Sequence, residues 1–341
     1  MRRGIAIFLF LLLFLSSFSG CDRPPKERTY YSYFDTFTTV SSYARDRDSD
    51  FQANCEAVTA LLSHYHKLFD IYNAYDGVNN LYTVNQMAGV SPVKVEKDLI
   101  DFLLYTKEIY TLTGGETNAA MGAVLSLWHD ARETALSGGA AALPDEGTLT
   151  EASLHTSMDR LIIDEEKGTV YLSDSAMSLD VGAIGKGYAV EKAAALLAKR
   201  GVTGYVLNVG GNLRAIGTKP GSDGWVTGVR DPRGDGLLAR LSIADASLVT
   251  SGNYERYYTV DGKHYHHIID KDTLFPSEGF SSVTVYAADS ALADALSTAL
   301  FCMTYEEGAR LLSSLSDAEA LWVTEDGELL MTEGMRQKLL P

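Results

Sequence analysis

Apolar residues recur at helical spacing through the first part of the chain. From about residue 160 they give way to short β-patterned runs broken by Gly, Asp and Pro. Val58, Leu61, Leu62, Tyr65, Leu68, Phe69 and Tyr72 predict a helix over about 50 to 70. Two more helices are predicted near 97 to 113 and 117 to 137, the second running into an exposed loop at Ser137, Gly138 and Gly139. The aromatic and β-branched residues of 30 to 44 predict a strand or a bent strand pair. Further strands are predicted at 160 to 164, 168 to 172, 204 to 209, 225 to 230, 238 to 243, 255 to 260, 264 to 269 and 280 to 287, with helices at 186 to 200, 290 to 302 and 305 to 314. The order lacks the regular βαβ alternation of a doubly wound sheet and predicts an α+β fold.

The N-terminus reads as a secretory signal over residues 1 to 20. Arg2 and Arg3 precede an apolar run from Ile5 to Leu15, and small residues follow. The run is short for a membrane span. Ser19, Gly20 and Cys21 resemble a bacterial lipoprotein cleavage box, with Phe18 where Leu is usual. That resemblance implies a lipid on Cys21, a short tether over 21 to 28, and a body over 29 to 341 held at the extracytoplasmic face of the cell membrane. A body of this length exceeds the usual single core and predicts two closely associated lobes.

Loss of the signal removes Arg2 and Arg3 and no acids, which takes the net charge from −16 to −18. A body so acidic excludes nucleic acid and anionic headgroups as general partners, but a divalent cation can still recruit an anionic ligand locally. Cys55 and Cys302 lie in amphipathic helical patterns and read as free thiols, not as a disulfide framework.

The most informative stretch is 178 to 200, where an acidic strand end, a glycine-rich turn with one lysine and an amphipathic helix follow one another. Gly182, Gly185 and Gly187 allow backbone amides to approach an anion, Lys186 adds a charge, and the helix presents its positive end. Neither common nucleotide motif fits. A P-loop needs Ser or Thr where Gly187 stands and an opening glycine where Asp180 stands, and the dinucleotide fingerprint needs glycine at Val190.

Three other segments carry candidate chemistry. Asp294 and Thr298 are one turn apart on a predicted helix, and their oxygens suit Mg²⁺; a solvated Asp beside a back-bonded Thr is the alternative. Asp261-Gly262 between β-patterned runs predicts a hairpin whose alternation separates His264 and His266 from His267, so a three-histidine zinc cage is not expected. NVGGNLRAIG, at 208 to 217, reads equally as a ligand contact or as a tight turn with a bulge.

Taken in order, FDTFTTVSSY, FDIYNAYDGVNNLYTVN, the helix ending in LSLW, SLDVGAIGKGYA, NVGGNLRAIG, TSGNYERYY, HHIID and ADALSTALF resemble the ApbE family, the FAD:protein FMN transferases, over nearly the whole mature chain. The resemblance implies a cleft in which FAD lies with its pyrophosphate on Mg²⁺. A Thr or Ser of an acceptor flavoprotein, a subunit of a membrane redox complex, attacks the phosphorus on the FMN side, and AMP leaves. It also implies metal ligands at the Ala183 carbonyl, Asp294 and Thr298, and FAD contacts at Phe34, Tyr72, Ala120, Met121, Gly122, Asp180, Lys186 and Ile268. Catalytic roles fall on His267, Arg256 and Lys186. Two departures stand out: Asn118 to Gly122 reads NAAMG where many members have Asp-Pro-Thr-Val-Gly, and Asp270-Lys271 replaces Asp-Pro. An FAD pyrophosphatase, or a flavin-binding lipoprotein without catalysis, are the alternative readings of the same residues.

Overall fold

The computed structural model describes residues 25–341. The chain opens with β1 (Lys26–Tyr33), β2 (Thr36–Ser42), α1 (Asp48–Phe69), α2 (Leu81–Gln86), β3 (Val93–Lys94), α3 (Lys97–Leu112), α4 (Gly122–Leu136) and α5 (Glu146–Ser153). It continues through β4 (Leu161–Asp164), β5 (Thr169–Leu172), α6 (Gly185–Lys199), β6 (Tyr205–Val209), β7 (Asn212–Ile216), β8 (Trp225–Arg230), β9 (Leu237–Ile243) and β10 (Ser247–Gly252). It ends with β11 (Tyr257–Val260), β12 (Lys263–His266), β13 (Phe280–Ala287), α7 (Ser290–Cys302), α8 (Tyr305–Ser313), β14 (Ala318–Thr324), β15 (Leu329–Met331) and α9 (Glu333–Lys338).

Eight strands form the main sheet in the order β1-β2-β6-β7-β10-β13-β14-β15, antiparallel at every pairing. Alternation along the strands feeds three clusters: Val40, Leu207, Val209 and Ile216 pack with Val58, Leu62 and Ala189 of α1 and α6. Val249, Val283 and Val285 pack with Ala293, Leu296 and Leu300 of α7, while Leu248, Leu321 and Val323 pack with Trp225, Leu241 and Ile243 of the β8–β9 hairpin. Helices α6 and α7 lie against each other over this sheet, and α1 packs on α6. The fold is the expected α+β, with antiparallel sheets and flanking helices.

Several boundaries differ from the sequence expectation. Lys26, Glu27 and Arg28, expected in the tether, pair with Ser42, Ser41 and Val40 as the start of β1; the signal and Cys21 lie outside the described residues. The helix expected from 117 begins at Gly122, because Asn118 Oδ1 accepts the Ala120 amide at 2.8 Å and the Ala119 carbonyl accepts the Asp180 amide at 2.8 Å. The strand expected to 269 stops at His266, whose Nδ1 accepts the Ile268 amide at 3.2 Å and turns the chain out of the ladder.

At 208 to 217 a turn forms without a bulge. Gly210 and Gly211, at φ +55° and +91°, make a two-residue hairpin loop, and the β6–β7 register runs unbroken from Val209↔Asn212. Cys55 and Cys302 are free thiols, and burial raises their pKa values to about 11 and about 12.

Candidate active site

The site is built where the N-terminal end of α6 meets the first turns of α7. The Gly187 amide donates to Asp294 Oδ2 at 2.7 Å, and the Lys186 ammonium stands 3.6 Å from Asp294 Oδ1. Only glycine permits this approach: a Cβ at Gly187 would lie 2.4 Å from both Asp294 Cβ and the Ser290 carbonyl oxygen. Residues 107 apart in sequence are thereby joined.

The same contact frees other groups. The Gly187 amide is spent on Asp294, so the Ala183 carbonyl lacks the partner four residues on that would normally serve it, and among the described residues it accepts no hydrogen bond. The amides of Ala183 and Lys186 also have no partner among the described residues. Thr298, half-buried on the same face of α7 as Asp294, does not bond back into its helix, whereas Ser297 donates to the Asp294 carbonyl at 2.8 Å. A carbonyl and a hydroxyl without partners among the described residues, with a carboxylate that is 4% exposed, are oxygen donors of the kind that fits Mg²⁺. Among the described residues, no group of three or more His, Cys, Asp or Glu side chains is placed to hold a metal ion.

The β11–β12 hairpin forms with the expected Asp261-Gly262 turn and splits the histidines. His264 stacks on Tyr257 with centroids 4.4 Å apart; His266 is buried, with Nε2 2.9 Å from the Ser277 carbonyl. His267 is exposed and makes no hydrogen bond among the described residues. Crowding by protein, then the charges of Arg256, His266, Arg132 and Lys186, lower its pKa to about 3. Arg256 is exposed and has no ion-pair partner among the described residues. Arg256 and Lys186 thus both lie near enough to His267 for their charges to act on it.

Asp180 links this cluster to the opposite wall. Its Oδ1 accepts the Gly182 amide at 2.8 Å, and desolvation raises its pKa against the opposing effects of that bond and of His129 and Arg256. Tyr72 is 56% exposed, which no core role requires; its ring stacks on His129 at 5.0 Å, and its hydroxyl lies 3.3 Å from His129 Nδ1. Arg132 Nη2 reaches the same nitrogen at 3.2 Å. Sequence reasoning missed His129 and Arg132, although their i, i+3 spacing after Trp128 puts both on one face of α4.

Phe34 occupies the β1–β2 turn at φ +55°, next to Asp35 at +50°, a conformation costly for residues other than glycine. Its amide donates to His66 Nδ1 at 3.4 Å and its ring meets Phe69 at 6.5 Å, beside Gly185. The expected strand end before the glycine-rich turn is irregular chain, since among the described residues no strand lies between β5 and α6, and Ala120, Met121 and Gly122 are brought to it through the Gly122 amide, which donates to the Ser178 carbonyl at 3.2 Å. Ala120 is wholly buried and Met121 nearly so, so this turn supports the wall more than it offers surface. Ile268 is likewise a core residue at 5% exposure. Two depressions, of about 370 and 410 Å³, lie away from this cluster. One is lined by the hairpin residues Tyr257, His264 and His266, and the other by Asn118, Met121 and Lys271. Neither includes Lys186, Asp294 or His267, so chemistry and not size locates the site.

Comparison with known proteins gives a concordant result. The ApbE family model matches residues 34–322. A protein of Treponema pallidum named FAD:protein FMN transferase is 32% identical over 88% of this chain and 85% of its own length. A protein of the same name from Klebsiella pneumoniae is 29% identical over 85% of this chain and 88% of its own. Among solved structures, the ApbE protein of Thermotoga maritima superposes with a TM-score of 0.82 at 27% identity, covering 93% of this chain and all of that one. The flavin transferase ApbE of Vibrio cholerae, at 20% identity, shares the fold with a TM-score of 0.77. The family match over most of the chain, together with relatives named as transferases, shows that the chain belongs to the ApbE family and is an enzyme of the transferase class.

Proposed function

We infer that this protein moves FMN from FAD to a Thr or Ser hydroxyl of an acceptor flavoprotein, releasing AMP. The observation that carries the reading is the Gly187–Asp294 contact, which assembles anion-binding amides and cation-binding oxygens in one place. Ala183, Asp294 and Thr298 would hold Mg²⁺, which when bound neutralises pyrophosphate charge and polarises the phosphoryl oxygens. Lys186 and the free amides of Ala183 and Lys186 offset the remaining charge at the positive end of α6. Tyr72, backed by His129, offers an aromatic face for the flavin ring.

His267 receives the proton of the attacking hydroxyl. That oxygen forms a bond to the phosphorus on the FMN side, the anhydride bond breaks, and AMP departs with the bonding electron pair. Crowding by protein, and after it the neighbouring cations, favour an unprotonated His267. A base of such low pKa is weak, but the negative pyrophosphate lying among Arg256 and Lys186 offsets those cations and raises its basicity once FAD is bound. The base is thus strengthened by the substrate it serves. His267 is exposed and so open to water, and hydrolysis of FAD to free FMN is the second reading.

The test combines purified protein, FAD, Mg²⁺ and an acceptor bearing the D-G-x-T-type segment that the family implies. A fluorescent acceptor band and stoichiometric AMP are expected. FMN found only in solution identifies the hydrolase, and no AMP from FAD with a competent acceptor refutes both readings. In Asp294→Ala, AMP release should fall at least 100-fold with an unchanged circular dichroism spectrum, a magnitude in keeping with loss of a principal electrostatic contact; undiminished release at low Mg²⁺ removes Asp294 from the metal.

The N-terminal reading extends this proposal. A lipid on Cys21 anchors the enzyme at the extracytoplasmic face of a bacterial membrane, beside membrane redox complexes whose flavoproteins would be its acceptors.

A further inference from the structure

The donor set of the site is split between two helices, and something must fix their separation. The loop before α6 supplies the Ala183 carbonyl, while α7 supplies Asp294 and Thr298. A first shell divided in this way works only if its halves are held to a fraction of an ångström. One tie is the Gly187–Asp294 hydrogen bond, but it uses a ligand of the site itself. The structure contains a second tie that does not.

Glu191 lies one turn beyond Gly187 on α6. Its Oε2 accepts the amide of Ser290, the first residue of α7, at 2.9 Å. Asp289 accepts the next two amides, of Ala291 and Leu292, at 2.6 and 3.0 Å, so Glu191 supplies the one cap that α7 cannot make for itself. The two helices therefore exchange caps: Asp294 of α7 takes an amide in the first turn of α6, and Glu191 of α6 takes the first amide of α7.

Glu191 is itself immobilised. Arg214 of β7 grips it through Nε at 2.9 Å and Nη2 at 3.2 Å, with both side chains largely buried, and Arg214 also donates to the Ala215 carbonyl at 2.5 Å. A bidentate pair fixes the orientation of the carboxylate as well as its place. The clamp is thus referenced to the main sheet and stands apart from the charges that would touch FAD.

We propose that Glu191, held by Arg214, is a positioning residue that sets the spacing of the two halves of the metal site through the Ser290 amide. This rests on the metal reading of that site. Removal of outer-shell partners of metal ligands typically weakens metal affinity by about 10 to 100-fold.

The test uses Mn²⁺ as a spectroscopic probe, with free Mn²⁺ counted by electron paramagnetic resonance in titrations of the full-length protein with FAD present. Glu191→Ala combined with Arg214→Met, which avoids stranding a buried cation, is expected to raise the Mn²⁺ Kd at least 10-fold. Glu191→Gln with Arg214→Met retains an oxygen for the Ser290 amide and is expected to stay within about threefold of the unaltered protein. A backbone variant makes the test independent of that pair. Ser290→Pro deletes only the donor, at a first helical position that accepts proline, after Asp289 whose φ −104° and ψ 129° suit a residue before proline.

Ser290→Pro should weaken Mn²⁺ at least 10-fold without loss of helical circular dichroism, whereas Ser290→Ala, which keeps the amide, should bind Mn²⁺ as the unaltered protein does. Tight Mn²⁺ binding by folded Ser290→Pro, or by the folded Glu191→Ala pair, overturns the clamp. Failure of the unaltered protein to bind Mn²⁺ overturns the metal reading, and the clamp's role falls with it.

Discussion

At His267 the protein holds a base whose protonation is opposed by crowding and by three neighbouring side-chain cations. Its pKa falls below the 6.5 of a free imidazole, so the neutral ring persists well into acid. The sign for stability follows: the unfolded chain binds this proton first, and the contribution of neutral His267 is lost as pH drops below about 6.5 toward the folded value. The sign for catalysis is the same, since the acid limb of kcat/KM reports the free enzyme. Replacing Arg256 with Gln removes one opposing charge and lifts the His267 pKa. The acid limb of FAD turnover should therefore move to higher pH in Arg256→Gln, by about half a unit or more, the scale of one partly screened charge. A limb that stays put or moves lower separates Arg256 from His267.

The helices and the hairpin show what could be read from the sequence and what could not. The α1, α3, α6 and α7 expectations match because apolar spacing and flanking polar residues act locally. So does the Asp261-Gly262 hairpin, whose turn chemistry is written in two residues. Strands β10 and β14 were not expected: SLVTSG has no clean alternation, and ALWV in β14 is a continuous apolar run because its strand is buried on both faces. Nor could sequence show that Gly187 is a contact point. Its role depends on a helix more than a hundred residues away, and a glycine inside a helix ordinarily marks only a weak point. That distinction has a measurable consequence. Gly to Ala inside a helix usually gains about 1 kcal/mol. At Gly187 the new Cβ would meet Asp294 and the Ser290 carbonyl at 2.4 Å, and overpacking of this kind costs about 1–3 kcal/mol. Gly187→Ala should thus destabilise the protein in urea unfolding and reduce AMP release together. A stabilised, fully active variant shows that α6 and α7 can part without harm.

For the molecule as a whole, charge and tether length act together. With its first twenty residues removed, as proposed, the body would carry −18 and would be repelled by anionic lipid. Among the described residues, no helix is long and apolar enough to cross one. A lipid on Cys21 would be the means of attachment, and β1 begins at Lys26. Five residue steps span at most about 18 Å even when fully extended. The folded body would then stay within roughly one domain radius of the bilayer, which limits acceptors to those presenting their hydroxyl close to the same surface. Cys21→Ser is expected to move the protein from the membrane pellet to the soluble extracytoplasmic fraction while leaving transfer to a soluble acceptor unchanged in vitro. In cells it should lower flavin attachment on membrane-bound acceptors, read as in-gel fluorescence. Continued membrane association of Cys21→Ser at high salt refutes the lipid anchor, and undiminished cellular labelling by a soluble Cys21→Ser enzyme refutes the limit that a short tether imposes.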